Sequence, residues 1–333
     1  MITAVPVDFP DSALAAEVLD DLARVEASLT DTAHPDDELL TEASRHSIDA
    51  GGKRFRALLV LLAAQFGHPK DPRVIQAAVA IELTHLATLF HDDVMDEAEV
   101  RRGRPSANSR WSNSVAILTG DFLFAQASLI LAGLGPEAVR IQAETFNRLV
   151  AGQLAETVGP RSGQDPLDHY MHVITEKTGS LIATSGRFGA MFSGAPAKVA
   201  ARIGVACEQL GVAWQLSDDV IDIASDPAQS GKTPGTDLRQ GVRTLPVLYA
   251  LRSATQSPGD ERLRWLLGEA DLTDEALLTE ALSRLRGHPA LAESRAHVLS
   301  WAQGARNEIM ALPDAPARAA FLALCDFVEK RTG

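Results

Sequence analysis

The stretch His91-Asp92-Asp93-Val94-Met95-Asp96 ends a long apolar segment that begins near Val74. Apolar residues in this segment recur at helical rather than alternating spacing, so it predicts one long helix. Asp92 and Asp96 are four residues apart, which places both carboxylates on one helix face, one turn apart. Two like charges repel, and a divalent cation is the simplest counter-charge. Mg²⁺ in particular accepts one or two carboxylates together with waters and substrate phosphates.

The same pattern occurs a second time, in Trp214-Gln215-Leu216-Ser217-Asp218-Asp219-Val220-Ile221-Asp222. Asp218 and Asp222 again stand four residues apart in an apolar helical pattern. A single motif of this kind is more often a solvated helix end than a metal site. Residues 81–90, however, are apolar enough to be buried, and the motif recurs. We therefore predict that the two acidic pairs, on two apolar helices, face one metal site from opposite sides.

Composition indicates a large helical core, because 46% of the 333 residues are hydrophobic and only 5% are aromatic. No strand pattern, low-complexity run or linker is evident, so we predict one all-α domain over residues 1–333. The net charge of −13 argues against a nucleic-acid partner, since phosphate backbones select basic surfaces. A small phosphorylated substrate stays open, because it needs only a local basic cluster.

Two further features concern the compartment. Cys207 and Cys325 are far apart and form no CxxC pattern, which predicts two small core residues in a reducing compartment. Residues 115–134 are apolar enough to require a membrane check, but Asp121 and Gln126 lie inside them. A central Asp costs about 2.5–3.5 kcal/mol on insertion scales. A buried helix of a soluble, cytoplasmic protein is the better interpretation.

Two local basic clusters exist. Lys53-Arg54-Phe55-Arg56 follows Gly51-Gly52 at a predicted helix start, and Arg101-Arg102-Gly103-Arg104 follows the first acidic motif. Basic side chains and free backbone N–H groups at a helix start suit an anion, and the arginine fork matches phosphate oxygens. We predict a diphosphate at the first cluster and the metal-held phosphates at the second. Solvated surface turns are the alternative.

Two later segments add cations. Glu176-Lys177-Thr178-Gly179 interrupts the predicted helix over residues 165–192, and Gly next to Lys-Thr suggests a kink that faces a ligand. Residues 230–237 predict a mobile loop in which Lys232 is the strongest cation.

Together these motifs resemble the trans-polyprenyl diphosphate synthases, the enzymes of head-to-tail isoprenoid chain elongation. The run Ala87-Thr88-Leu89-Phe90-His91 is most similar to the long-chain branch, whose members make the side chains of menaquinone and ubiquinone. The matching elements follow the family's order over about residues 51–246, namely Gly51 to Arg56, His85, Asp92 to Asp96, Arg101 to Gly103, Gly120-Asp121, Lys177-Thr178, Gln215, Asp218 to Asp222, and Gly231-Lys232.

The resemblance implies an antiparallel helical bundle of the isoprenoid synthase type with a central active-site cavity. It implies Mg²⁺-dependent extension of an allylic diphosphate primer by isopentenyl diphosphate. Three Mg²⁺ ions, held by Asp92, Asp96, Asp218 and Asp222, would bind the allylic diphosphate. The other implied roles are as follows: Arg101, Lys177 and Lys232 hold the same diphosphate; Lys53, Arg56, His85 and Arg102 hold that of isopentenyl diphosphate; Thr178 and Gln215 offer oxygen dipoles to the allylic cation.

The resemblance further implies a homodimer, with at most peripheral membrane contact for product release. One position departs from the family, which often has Lys directly after the residue that is Gly241 here. This chain has Val242 there, with Arg243 beside it, and whether Arg243 takes over a phosphate contact stays open.

Three other functions fit the residues less well. A class I terpene cyclase also ionises an allylic diphosphate, but such enzymes usually carry an Asn/Ser/Glu second metal motif and lack a cluster like Lys53 to Arg56. A non-catalytic partner subunit is disfavoured because both acidic motifs are intact. A purely structural helical protein gives no reason for paired carboxylates beside paired arginines.

The helix turns that precede Asp92 predict the length of the product. One helical turn rises about 5.4 Å, close to one extended isoprene unit. Going back from Asp92, the successive turns carry Thr88, Thr84 and Ala80, none of which is aromatic. We therefore predict a hydrophobic tunnel and a product well beyond the short-chain range, although a shorter, geranylgeranyl-type product is the alternative. Small residues that only allow close helix packing are the other interpretation.

Overall fold

Helices form almost all of the regular structure. The computed structural model describes residues 9–33, 36–225, 234–254 and 260–332. The prediction of an all-α protein is confirmed. The helices are α1 Ser12–Thr32, α2 Glu38–Asp49, α3 Phe55–Ala64, α4 Pro72–Met95, α5 Ala107–Arg110, α6 Asn113–Leu134, α7 Pro136–Val158, α8 Pro166–Ile174, a π-helix Thr175–Gly179, α9 Ser180–Phe192, α10 Ala197–Ala224, α11 Thr236–Arg239, α12 Leu245–Ala254, α13 Glu261–Gly268, α14 Glu275–Arg286, α15 Pro289–Met310 and α16 Pro316–Arg331.

One short hairpin interrupts this helical pattern. β1 (Val100–Arg101) and β2 (Arg104–Pro105) pair antiparallel. Arg102 and Gly103 between them have φ angles of 52° and 74°, as a two-residue hairpin turn with positive φ at both positions requires. The expectation of no strand is wrong here, because a ladder of two residues is too short to leave an alternating pattern.

The chain folds into two compact units. The first acidic motif and both basic clusters belong to unit 1, whereas Lys177 and the second acidic motif belong to unit 2. Unit 1 comprises Met1–Asn147, Leu181–Cys207 and Glu308–Ala323, and unit 2 comprises Arg148–Ser180, Glu208–Asn307 and Leu324–Gly333.

Within unit 1, α4 packs against α1, α3 and α6. The Asp71 side chain caps its first turn by accepting the N–H of Arg73 at 2.9 Å, and Pro72 takes the first helical position, where no N–H is needed. In α3 every residue except Arg56 is buried, as expected of a helix that is hydrophobic on all sides. The first acidic motif thus extends from a well-anchored core helix.

α6 is much less buried than α4. Both helices are long and apolar enough to cross a membrane by length and composition, which alone is weak evidence. The most apolar window of α4 is 72% buried, but that of α6 is only 33% buried. Ile117, Leu118 and Leu129 are 41%, 64% and 67% exposed. The expectation of a buried helix therefore holds for one face of α6 only. The apolar side chains on the other face are exposed.

In unit 2 the predicted interruption of the helix over residues 165–192 is a five-residue π-helix. Such turns are frequent at functional sites. Gly152 of α7 packs directly on this π-helix, since a Cβ there would lie 2.6 Å from the backbone nitrogen of Lys177.

The two cysteines are buried in the core. Cys207 and Cys325 are both free thiols, as predicted.

Candidate active site

The first acidic motif lies at the end of α4. Asp96 is the residue that caps this end, and its N–H donates to the carbonyl oxygen of Asp92 at 2.8 Å. Asp96 is exposed and Asp92 is half-buried. The two outer carboxylates therefore stand one turn apart at a helix C-terminus, whose partial negative charge adds to the demand for a cation.

The middle aspartate of this motif has a different environment. Asp93 is only 3% exposed, and its Oδ1 accepts a hydrogen bond from Nε of Arg101 at 2.6 Å. Burial raises the pKa of Asp93, while the hydrogen bond from Arg101 opposes that rise. Asp93 is thus committed to holding the β1 arginine against α4.

The charges of four arginines act on His85, which lies on α4. Burial lowers the pKa of His85 well below its usual range, and the charges of Arg56, Arg102, Arg54 and Arg101 lower it further. His85 is therefore neutral at pH 7 and contributes a hydrogen-bonding group rather than a charge. A cluster of this kind attracts an anion.

Arg54 is the structural member of the cluster. Its side chain is 1% exposed, pairs with Glu26 and Glu82, and donates to the carbonyl oxygen of Ile48 at 3.1 Å. Its φ of 43° lies in the left-handed region, which costs an ordinary residue about 1–2 kcal/mol. Glu82 also accepts the N–H of Ala57 at 2.9 Å. These pairings hold the backbone turn that opens α3.

The cations on either side of Arg54 are differently placed. Lys53 is exposed and Arg56 is half-buried. Burial, with a smaller contribution from Arg102, lowers the pKa of Arg56 to about 10, and its Nε has no hydrogen-bond partner in the described chain. Arg102 donates to the carbonyl of Gly51, and a Cβ on Gly52 would come within 3.0 Å of its guanidinium. A buried guanidinium N–H without a partner marks a position for an anionic oxygen.

The outer aspartates of the second motif, in α10, have partners of another kind. Asp218 forms an ion pair with Arg331 near the end of α16. The two oxygens of Asp222 accept the N–H groups of Thr236 and Asp237, each at 3.2 Å. Asp222 thereby satisfies backbone donors in the first turn of α11, which would otherwise lack partners.

The middle aspartate of the second motif is buried among neutral donors. Asp219 is 3% exposed, and burial raises its pKa to about 7. The Tyr170 hydroxyl donates to it, as does Nε2 of Gln215 at 3.3 Å. Burial also raises the pKa of Tyr170 well above its usual range. The donor end of the Gln215 amide is thus committed to Asp219, which leaves its oxygen for the predicted dipole.

The remaining predicted residues are placed as follows. Lys177 and Thr178 lie in the π-helix, where Lys177 donates to Glu156 of α7. Arg243 is exposed and lines a surface cavity together with Arg239. Lys232 lies outside the described residues.

The donor chemistry of both motifs fits a hard divalent cation, because carboxylate oxygen is the ligand that Mg²⁺ prefers. Among the described residues, no group of three or more His, Cys, Asp or Glu side chains is arranged to hold an ion. Each motif therefore offers the one or two carboxylates with which Mg²⁺ is bound when substrate phosphates complete its coordination.

Sequence reasoning missed three residues at these sites. Glu82 left a signal, since a carboxylate inside the apolar run over residues 81–90 needs a buried cation as partner. Tyr170 and Arg331 left none, because their partners are 49 and 113 residues away along the chain.

Comparison with known proteins identifies the family. The family model of polyprenyl synthetases matches residues 37–285. The chain belongs to this family. Its relatives include several polyprenyl diphosphate synthases, so the protein is a prenyltransferase, and the predicted resemblance is confirmed.

Two relatives support the long-chain branch. The nonaprenyl diphosphate synthase of Mycobacterium tuberculosis is 48% identical over 328 residues, covering 98% of this chain and 97% of that protein. Heptaprenyl diphosphate synthase component 2 of Geobacillus stearothermophilus is 37% identical over 314 residues, covering 94% and 96%.

A solved structure supports the fold. The crystal structure of geranylgeranyl pyrophosphate synthase from Corynebacterium glutamicum, complexed with calcium and isoprenyl diphosphate, matches with a TM-score of 0.88 and 43% identity. The match covers 98% of this chain and all of that one. The name of that enzyme implies a shorter product than those of the two relatives above.

Proposed function

We propose that this prenyltransferase is Mg²⁺-dependent and extends an allylic diphosphate by successive trans head-to-tail condensations with isopentenyl diphosphate. The observation that carries the proposal lies within unit 1. There the outer carboxylates Asp92 and Asp96 end the same helix that carries His85, a residue on which the charges of four arginines act. In this condensation the allylic substrate loses its diphosphate and isopentenyl diphosphate keeps its own, so one subsite that binds metal and one that binds diphosphate directly through cations suit it.

The first step is ionisation of the allylic substrate. Bound Mg²⁺ supplies Lewis-acid stabilisation of the leaving diphosphate. Asp92, Asp96, Asp218 and Asp222 are the proposed ligands of three ions, as the family resemblance implies. The cations proposed for the same diphosphate are Arg101, Lys177 and Lys232.

Isopentenyl diphosphate is assigned to the cluster at the start of α3. Lys53, Arg56 and Arg102 supply positive charge, and neutral His85 supplies a hydrogen bond. The Nε of Arg56 that has no partner in the described chain is a donor for one of the phosphate oxygens. Holding this diphosphate orients the alkene for attack on the allylic cation.

The oxygen dipoles of Thr178 and Gln215 are the protein groups proposed to stabilise the allylic cation. The hydrogen bond from Gln215 to Asp219 fixes the amide orientation that this role needs. The departed diphosphate takes the final proton, so no dedicated protein base is required.

A long-chain product, used for a quinone side chain such as that of menaquinone, is the proposed outcome. The nonaprenyl and heptaprenyl relatives support it, as does the absence of aromatic residues at Thr88, Thr84 and Ala80. Two observations favour the shorter geranylgeranyl-type alternative. One is the likeness to the Corynebacterium structure. The other is Gln142, whose Nε2 donates to Thr84 Oγ1 at 2.7 Å, so that its amide lies at the second helical turn before Asp92, along the proposed path of the chain.

A homodimer is proposed to cover the open face of α6. Leu118 and Leu129 on this face are 64% and 67% exposed, and large exposed apolar patches mark interaction sites. Leu118→Glu combined with Leu129→Glu should convert a dimer into a monomer in size-exclusion chromatography with light scattering. A wild-type protein that is monomeric at micromolar concentration contradicts the dimer.

The proposed activity is tested by incubating the protein with an allylic diphosphate, with and without isopentenyl diphosphate, and with Mg²⁺ or a chelator. We expect elongated polyprenyl diphosphates only when both substrates and Mg²⁺ are present, with chain lengths read by mass spectrometry. A cyclic hydrocarbon formed from the allylic substrate alone would instead identify a class I terpene cyclase.

A further inference from the structure

The Arg331 side chain is enclosed by four partners within unit 2. Its guanidinium carbon lies 4.4 Å from the ring centre of Trp214 and 5.7 Å from that of Phe327. Nη1 donates to Oγ of Ser217 at 3.1 Å, and Nη2 forms an ion pair with Oδ1 of Asp218. The arginine side chain is only 15% exposed.

These contacts differ from an ordinary surface ion pair. The two aromatic rings stack on each other with centres 5.7 Å apart, and the guanidinium carbon lies near both. Stacking of this kind contributes more when the cation is desolvated. Trp214, Ser217 and Asp218 belong to consecutive turns of α10, so Arg331 is fitted to the part of the helix that carries the second acidic motif.

The charge of Arg331 is permanent, because a guanidinium does not lose its proton in a protein. A divalent cation that binds Asp218 therefore competes with Nη2 for Oδ1 and meets a positive charge beside it. In the first motif, Arg101 engages the middle aspartate, Asp93.

We propose that Arg331 is a positioning residue that sets the metal affinity of Asp218. This proposal rests on the proposed function, which makes Asp218 a metal ligand. Arg331 holds the carboxylate in the metal-free protein and lowers the affinity of the second motif for a divalent cation. Uptake of metal at this motif then depends on the additional negative charge of a bound diphosphate.

The test measures metal binding without catalysis. Mn²⁺ binding is followed by electron paramagnetic resonance in an Asp92→Asn/Asp96→Asn background, in which the second motif is the remaining acidic pair. Arg331→Gln should bind Mn²⁺ roughly three- to tenfold more tightly than its parent, and Arg331→Lys should fall between them. Inorganic pyrophosphate should raise the Mn²⁺ affinity of the parent more than that of Arg331→Gln.

A matched control separates this effect from general changes at the C-terminal helix. Arg306→Gln removes ion pairs to Asp326 and Glu329 of α16 in the same unit without touching the motif. It should leave Mn²⁺ affinity unchanged. The gain in Arg331→Gln should vanish when Asp218→Asn is added, because the carboxylate that Arg331 competes for is then absent.

A second readout uses the indole that Arg331 covers. Titrating the otherwise wild-type protein with Mg²⁺ and pyrophosphate should shift the tryptophan emission as Arg331 leaves Trp214. The shift should be lost in Trp214→Phe.

Unchanged or weaker Mn²⁺ binding in a folded Arg331→Gln variant overturns the proposal, since Arg331 then only supports structure or orients the ligand. Failure of the proposed function is a separate result, namely the absence of Mg²⁺-dependent condensation in the wild type.

Discussion

The two acidic motifs share one spacing but have opposite surroundings. Near the first, the charges of four arginines act on His85, and Arg101 pairs with the middle aspartate, Asp93. In the second, an arginine, a tyrosine and two backbone N–H groups occupy the three aspartates in turn. The first region is thus arranged to attract anions, whereas the second holds its own carboxylates in place.

This difference shows what residue spacing does and does not determine. Two carboxylates at i and i+4 share a helix face in both motifs, because helix geometry alone places them there. Their availability depends on partners that are distant in sequence, such as Arg331 and Tyr170. Equal motifs therefore need not bind metal equally, and variants of matching positions measure the difference.

The largest expected effect comes from removing one outer carboxylate of each motif. Asp92→Ala and Asp218→Ala should each lower turnover by orders of magnitude, because the metals they hold stabilise the leaving group in the transition state. Steady-state kinetics at saturating Mg²⁺ measures this loss, and circular dichroism checks that helix content is kept. Asp314→Ala, at a carboxylate that is 91% exposed, is the control. Near wild-type turnover in either motif variant contradicts the metal assignment.

The middle aspartates should separate the motifs by stability. Asp93→Asn leaves Arg101 without its charged partner, which should cost about 1.5–3 kcal/mol of unfolding free energy. Asp219→Asn keeps an acceptor for Tyr170, and burial already favours the neutral form of Asp219, so it should cost less than about 1 kcal/mol. Urea unfolding of the metal-free variants compares the two costs. A larger loss of stability in Asp219→Asn than in Asp93→Asn would contradict the different surroundings assigned to the two middle aspartates.

Much of the fold could be predicted from local pattern. Helical spacing and the Lys177-Thr178-Gly179 interruption each act within a few residues, and the structure places elements at both. The outer carboxylates and the basic cluster at Lys53 to Arg56 were predictable for the same reason. Their catalytic roles stay predictions until variants are measured.

The rest depended on contacts that no local pattern encodes. Arg54 and Arg56 look alike in sequence, yet one is sealed against Glu26 and Glu82 while the other keeps an Nε without a partner in the described chain. The apolar pattern of α6 predicted burial, but pattern reports hydrophobicity and not which surface covers it. Pairing of Asp218 with Arg331 likewise required the folded chain.

The burial of His85, together with the arginine charges that act on it, predicts a pH effect on stability. The pKa of His85 is held well below its usual range, so the native state keeps it neutral while the unfolded chain takes up a proton near pH 6.5. Stability is therefore lost as the pH falls, by about 1.4 kcal/mol between pH 7.5 and 5.5. His85→Gln should lose less over the same range in urea unfolding. If the unfolding free energies of the two proteins changed in parallel with pH, the surroundings of His85 would not disfavour its protonation.

The smallest effect on rate, and the most specific, should come from the helix turns behind the motifs. Behind Asp92 these turns carry Thr88 and Thr84, and behind Asp218 they carry Trp214 and Leu210. Thr88 is 9% exposed and its hydroxyl donates to the carbonyl of His85, so it is a small residue with little freedom. From this contrast in size we predict that a growing chain extends along α4 rather than along α10.

Thr88→Phe tests that direction. A ring one turn from Asp92 should stop elongation early, so the product becomes shorter while the first condensations keep nearly their normal rate. Thr88→Ser, which keeps the volume small, should leave the chain length unchanged, and Gln142→Ala should lengthen the product if the amide on Thr84 limits it. Mass spectrometry of the product diphosphates distinguishes these outcomes. If wild type stops at three or four isoprene units, or if Thr88→Phe leaves the distribution as it was, the chain does not grow along this wall. The small residues of α4 then serve close packing between helices and nothing more.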